Sequence, residues 1–207
     1  METFTSADFG CVILLTKWCN VKGLIHVKSE RMERYFQLID HQRDAFDQYV
    51  REAVADPWAR PLPEKWSVGE TVYHLYLLAR LVRRFSVVYL PVMLPYGHLR
   101  KNRPYKTDIH NIYEEYTRVK NHPMPAPSVL IPPNHLSDTC TYLEVRHLLN
   151  FETAKLRMMF SNLDETVAGN IRYPDPVAYY PNVIQCVQLL AIHEQHHFDL
   201  VRKYVGG

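Results

Sequence analysis

The residues best suited to chemistry lie near the end of the chain, in the string Ala191-Ile-His-Glu-Gln-His-His-Phe-Asp-Leu200. His193 and His197 stand four apart. A helix turns every ~3.6 residues, so both rings leave one face, one above the other. Two imidazoles placed this way reach a single ion at nitrogen–metal distances of ~2.0–2.1 Å. The geometry is that of HExxH helices, although the string here is HxxxH with Glu194 beside the first histidine. Val183, Val187, Leu190, Ala191, Leu200 and Val201 form an apolar stripe, and the histidines sit on or beside it. At least two imidazoles therefore point inward, where an unpartnered polar group costs roughly 1–3 kcal/mol. Either a metal ion satisfies them, or each bonds a carbonyl or carboxylate and serves packing alone.

Two ligands rarely hold an ion, so a third must come from another helix. His74 is the best placed, between Val72 and Leu75 on a buried stripe. Three imidazoles leave at least one coordination position open, whereas closed structural sites use four protein ligands. An ion there brings the pKa of a water toward ~7 or keeps a thiol as its thiolate. The first outcome implies hydrolysis; the second implies thiol transfer or thiol-dependent isomerisation. Glu70 and Glu194 are candidates to accept the outer ring proton of a ligand histidine, against a helix cap and a solvent contact as their plainer roles. His196 is an alternative i,i+3 partner of His193, read as supporting the ligands or lying at the surface. Cys186, two turns before His193, is either a pocket residue or a buried inert thiol. Asp199, Tyr73 and Trp66 are assigned packing or surface positions only. His26, His41, His98, His110, His122, His135 and His147 show no partnered spacing.

Helices must carry these groups. Apolar steps of three and four from Met32 to Val54 predict a helix over Glu30–Ala55, stopped by Asp56-Pro57. Ser67 with Glu70 three residues on is a capping box opening a second helix. Its stripe runs through Val72, Leu75, Leu78, Val82, Phe85 and Tyr89, until Pro91 and Pro95 end or bend it. Residues 96–107 read as loop and Asp108–Lys120 as a short helix. The prolines at 123, 125, 127, 132 and 133 exclude regular structure and make a long crossover. Ser137 or Asp138 caps a third long helix reaching about Asn162. A turn with Pro174, Pro176 and Pro181 precedes a fourth over Asn182–Tyr204. No strand pattern of useful length appears. The expectation is an all-α fold: a four-helix bundle with a long crossover connection and a short extra helix, spanning 27–207. Loops 96–107 and 121–137 would shape the pocket. Residues 1–26 lack a helical period and read as an N-terminal extension or an upstream start. N-terminal sequencing of native protein decides between them.

Two motifs carry a family likeness. Trp66-Ser67 followed by His74, together with Leu189-Leu-Ala-Ile-His193-Glu-Gln-His-His197 after a proline-rich turn, resembles the DinB/YfiT-like superfamily, over roughly Met32 to Tyr204. Members are four-helix bundles, often dimeric, that hold nickel, zinc or a similar ion through three histidines. The resemblance implies His74, His193 and His197 as ligands, a homodimer, and chemistry linked to low-molecular-weight thiols. Many members follow the doubled histidine with a small residue and Gln-Ile, where this chain has Asp199-Leu200-Val201.

Bulk properties agree with these readings. The chain has 207 residues, 47% of them hydrophobic and 22% charged, enough for one domain with a real core. A net charge of +2 without a dense basic block argues against nucleic acid as partner. Four scattered cysteines, with no CxxC, suit a reduced, cytoplasmic protein. The apolar run Cys11–Leu15 follows Glu2 and Asp8 rather than a basic leader, and Arg80, Arg83 and Arg84 interrupt Leu75–Leu94, so neither reads as a targeting or membrane segment. A non-catalytic bundle whose histidines or metal are structural is the alternative to a metal-dependent enzyme.

Overall fold

In a computed structural model, residues 25–109 and 126–205 are described. Within them the chain is an all-α bundle of four long helices and one short one, with no strand. The predicted helix at Asp108–Lys120 and the extension at 1–26 fall almost wholly outside these residues.

Helix α1 spans Glu30–Ala53. Ser29 caps it by accepting the Met32 amide, and Glu30 and Glu33 complement the positive end of the dipole. Met32, Phe36, Ile39, Phe46 and Val50 are buried at helical spacing, and so are Arg43 and Asp47 on the same stripe. Helix α2 spans Val68–Leu99 and opens with the Ser67–Glu70 capping box.

Pro91 and Pro95 lie inside α2 rather than ending it, so Tyr96–Leu99 are its last turn and not loop. Both prolines are solvent-exposed. The carbonyls that lose their intrahelical donors, those of Val87 and Pro91, therefore lie on the watered side, where the loss is cheapest. The opposite side is pinned at Gly97. A Cβ there would come within 2.8 Å of Ile171 Cγ1, so only glycine lets the two segments approach this closely.

The crossover contains 3-10 turns at Ser128–Leu130 and Leu136–Asp138. Ser137 and Asp138 belong to the second turn and do not cap α3. Helix α3 spans Tyr142–Phe160, and its cap is Thr141, whose hydroxyl accepts the Glu144 amide while Glu144 accepts from Thr141. Of Ser137, Asp138 and Thr141, only Thr141 has a glutamate three residues on. Helix α4, Glu165–Asn170, is a short element that periodicity does not signal. Helix α5 spans Val183–Val205, opened by a reciprocal pair in which Asn182 Oδ1 accepts the Gln185 amide and Gln185 Oε1 the Asn182 amide. No described helix is long and apolar enough to cross a membrane.

The closest packing joins α2 to α3 and α1 to α5. Two apolar clusters result. One, with Phe36, Leu156, Phe160 and Ile171, fills the end at α4. The other, with Phe46, Val72, Leu149 and Phe198, fills the end that carries the histidines. Phe46 and Phe198 stack with centroids 4.0 Å apart. Between α1 and α3 arginines span the gap: Arg157 to Asp40 at 2.8 Å, Arg146 to Asp47, and Arg43 to Asn150 and Thr153.

Candidate metal centre

Three elements build the centre. The capping box sets the register of α2, and His74 follows two turns after the cap on the buried side of that helix. His193 and His197 come from one face of α5, their rings 4.5 Å apart between centroids. The His74 ring lies 5.0 Å from His193 and 4.7 Å from His197. One nitrogen from each of the three rings falls within 4.8 Å of the other two. His74 and His193 are buried and His197 is half-buried.

The crossover settles the protonation of His74. Its Nδ1 lies 2.8 Å from the Leu130 carbonyl oxygen, which can only accept. Nδ1 therefore carries the hydrogen, and the lone pair is on Nε2. That Nε2 faces His193 Nε2 at 3.1 Å. Two nitrogens sharing one tetrahedral ion at ~2.0–2.1 Å would be ~3.3 Å apart, so the spacing matches a common ligand set. A backbone carbonyl orienting the ligand ring is the usual support of such sites.

Burial keeps the rings neutral. His193 is pushed down to about 3, first by desolvation and then by the neighbouring His74 and His196. His197 lies well below the usual histidine range for the same reasons, with burial first. In His74 desolvation outweighs the bond to Leu130, which pulls the other way. Neutral imidazoles are the form that binds metal. They also give a stability signature. Below about 6.5 the unfolded chain takes up protons that folded His193 refuses down to about 3. The metal-free protein is thus expected to lose stability as pH falls through that window, by up to about 1.4 kcal/mol per pH unit for each such histidine. Above it these groups contribute nothing. Urea unfolding at pH 7.5, 6 and 5 after chelation measures the slope; a flat profile would contradict neutral burial.

The other candidates separate clearly. Glu70 accepts from the Ser67 amide at 2.8 Å and from Arg60 Nε at 2.9 Å, so its carboxylate serves the cap and a surface pair. Glu194 is buried, which overturns a solvent contact: Arg43 Nε donates to its Oε2 at 2.8 Å and Arg43 Nη2 to its Oε1 at 2.5 Å. His196 is half-buried, its ring edge-on to that of His197 with centroids 5.4 Å apart. Cys186 sits in the other apolar cluster, where burial and then Asp175 push its thiol up to about 12, the behaviour of an inert core thiol.

Two contributors are absent from the sequence reading, Arg43 and the Leu130 carbonyl, and a third, Trp66, reads there only as packing or surface. The Trp66 ring covers the centre at 4.9 Å from His74 and 6.4 Å from His197. Its place directly before the Ser67 cap was the available signal. Trp66→Ala is expected to lower stability by about 1–3 kcal/mol and to weaken metal retention, because the indole packs the two rings it would free. Unfolding and competition with a chromogenic chelator read the two effects.

A family model described as the DinB superfamily matches residues 38–201. The chain belongs to the DinB superfamily. The match covers α1 from its ninth residue, all of α2 and α3, and α5 through Val201, and so contains all three histidines. No curated protein and no solved structure matches the chain significantly. Within this DinB-superfamily bundle the buried histidine trio fits a divalent ion by donor type, protonation and spacing.

Proposed function

We propose that this DinB-superfamily chain is a metal-dependent enzyme whose divalent ion, nickel or zinc, is held by His74, His193 and His197, and that it works in the cytoplasm as a homodimer. The observation that carries the reading is the three converging neutral imidazoles, with no fourth histidine, cysteine or carboxylate in the group among the described residues. When bound, the ion supplies Lewis acidity at the position the imidazoles leave, which favours hydrolysis or transfer of a low-molecular-weight thiol.

The chain's own residues prepare that position. Leu130 holds the His74 proton on Nδ1 and so directs the Nε2 lone pair inward. Trp66 and the core around Phe198 limit water, strengthening every electrostatic contact there. Arg43 fixes α5 through Glu194, next to His193.

The test uses cobalt(II) as the probe ion. The absorption spectrum of cobalt-substituted protein is expected to change on addition of a low-molecular-weight thiol or azide, since both need a free coordination position. An unchanged spectrum, with chelation lowering only the melting temperature, would instead support a metal that merely stabilises the bundle.

A further inference from the structure

The approach to the metal centre carries charges that neither the three histidines nor the fold uses. His193 and His197 centre on position 195 of α5, and Tyr204 lies nine residues further on. The facing histidine is His74, and Lys65 lies nine residues before it. The Lys65 ammonium rests 4.9 Å from the centroid of the Tyr204 ring. The entry to α2 and the end of α5 therefore run antiparallel from the histidines outward, with Trp66 next to Lys65 and its ring over the centre. Tyr204 stands seven residues after His197, two turns on, so both rings leave one face of α5. By helical rise, Tyr204 and the ammonium on it lie ~10 Å from His197. Between them runs a half-buried strip: His197, Leu200 and Tyr204 from α5, Trp66 and Lys65 from the entry to α2. It reaches the trio on the side of His197, the least buried of the three histidines.

A second cation joins the first. The Lys203 ammonium lies 5.4 Å from the centroid of the same Tyr204 ring. A cation over an aromatic face is attracted to it, so the ring gathers both charges at the end of the strip. The neighbouring acids leave them uncompensated. Glu70 is taken by Arg60 and Asp199 by Arg202, and no carboxylate of the described residues pairs with either lysine. Two converging cations without an acid suit a small anion, through charge-assisted hydrogen bonds. They are too few for a polyanion, which needs a long basic stripe.

We propose that Lys65, with Lys203 beside it, binds an anionic group at the far end of a substrate whose reacting end meets the metal ion. The substrate is then a small acid ~10 Å long, with its carboxylate at Tyr204 and its middle along the Trp66 indole. The inference rests on the open coordination position of the proposed function and adds the chemical class that this position takes. Lys65 acts in recognition, so a neutral molecule of equal length gains nothing from it.

The test titrates thiols into the cobalt(II)-loaded full-length protein and reads the absorption spectrum. Mercaptooctanoate is long enough to run from ion to lysine. Mercaptooctanol has that length without the charge. Azide is an anion too short to reach Lys65. The expected result is that mercaptooctanoate binds about fivefold tighter than mercaptooctanol. Lys65→Gln should lower this preference, Lys65→Gln with Lys203→Gln should abolish it, and Lys65→Arg should keep it. Azide affinity, cobalt content and melting temperature should match the wild type throughout, which separates a local contact from altered net charge or folding. Equal binding of the acid and the alcohol by the wild type, or a preference that survives the double substitution, would overturn the anion site while the open position stands. No spectral response to azide or to either thiol would remove the open position, and the anion site with it.

Discussion

Glu194→Ala is expected to lower the stability of the protein by about 3–5 kcal/mol, the range found when one partner of a buried ion pair is removed. Arg43 and Glu194 have side chains only 5% exposed. The guanidinium makes two bonds to Glu194, one to Asn150 at 3.0 Å and one to Thr153 at 2.8 Å, so it ties α1 to both α5 and α3. Without the carboxylate a full positive charge stays in the core. The comparison that isolates the effect is Glu70→Ala. That carboxylate also meets an arginine, but Arg60 is 45% exposed, so the expected loss is the helix cap, about 1 kcal/mol. Replacing both core partners, Arg43→Met with Glu194→Leu, should recover much of the stability, because no charge is then left buried. Urea unfolding of the four proteins measures this. A loss below about 1 kcal/mol for Glu194→Ala would show that the charge reaches water.

His193→Ala and His197→Ala are expected to take the metal content from about one divalent ion per chain to below about 0.1, while His196→Ala keeps it. The contrast between adjacent histidines is the informative part. His196 shares the sequence neighbourhood and the polarity of the ligands but lies outside the converging trio. His74→Ala should behave as the other two do. In the wild type, free ion at 100 times its Kd should stabilise the fold by about 2.7 kcal/mol, and this increment should vanish in the three ligand variants. Elemental mass spectrometry and thermal melts with and without added zinc give both readouts. Retention of metal by His197→Ala would remove the three-histidine centre.

The two predictions differ in how visible they were beforehand. The histidine pair is a local pattern: two residues four apart on one helix face, readable because helical geometry relates neighbours along the chain. His74 needed the family likeness, since nothing local says which helix faces α5. Arg43 stands on the buried stripe of α1, one turn from Asp47, but the carboxylate it meets lies 151 residues away on another helix. From the sequence Glu194 reads as a neighbour of His193, facing its ring or solvent, because sequence distance says nothing about α1.

The helix boundaries show the same division. The Ser67–Glu70 capping box follows from four residues and stands as expected. The Thr141–Glu144 box is equally local, but Ser137 and Asp138, nearer the prolines, also have the side chains of a cap, and only the structure puts them in a turn. Pro91 and Pro95 read as an end or a bend because a proline removes a helix bond wherever it stands. Only packing reveals that both face water while Gly97 holds the other side against Ile171.

By itself, then, the sequence determined the all-α class, the amphipathic faces and the stacked His193–His197 pair, because all three follow from periodicity within single helices. The tertiary structure decided which groups meet across helices: His74 with the pair, the Leu130 carbonyl on His74, the Trp66 ring over both, and Arg43 on Glu194. Those contacts depend on how the crossover returns the chain and how the bundle closes, and no period within a helix encodes either.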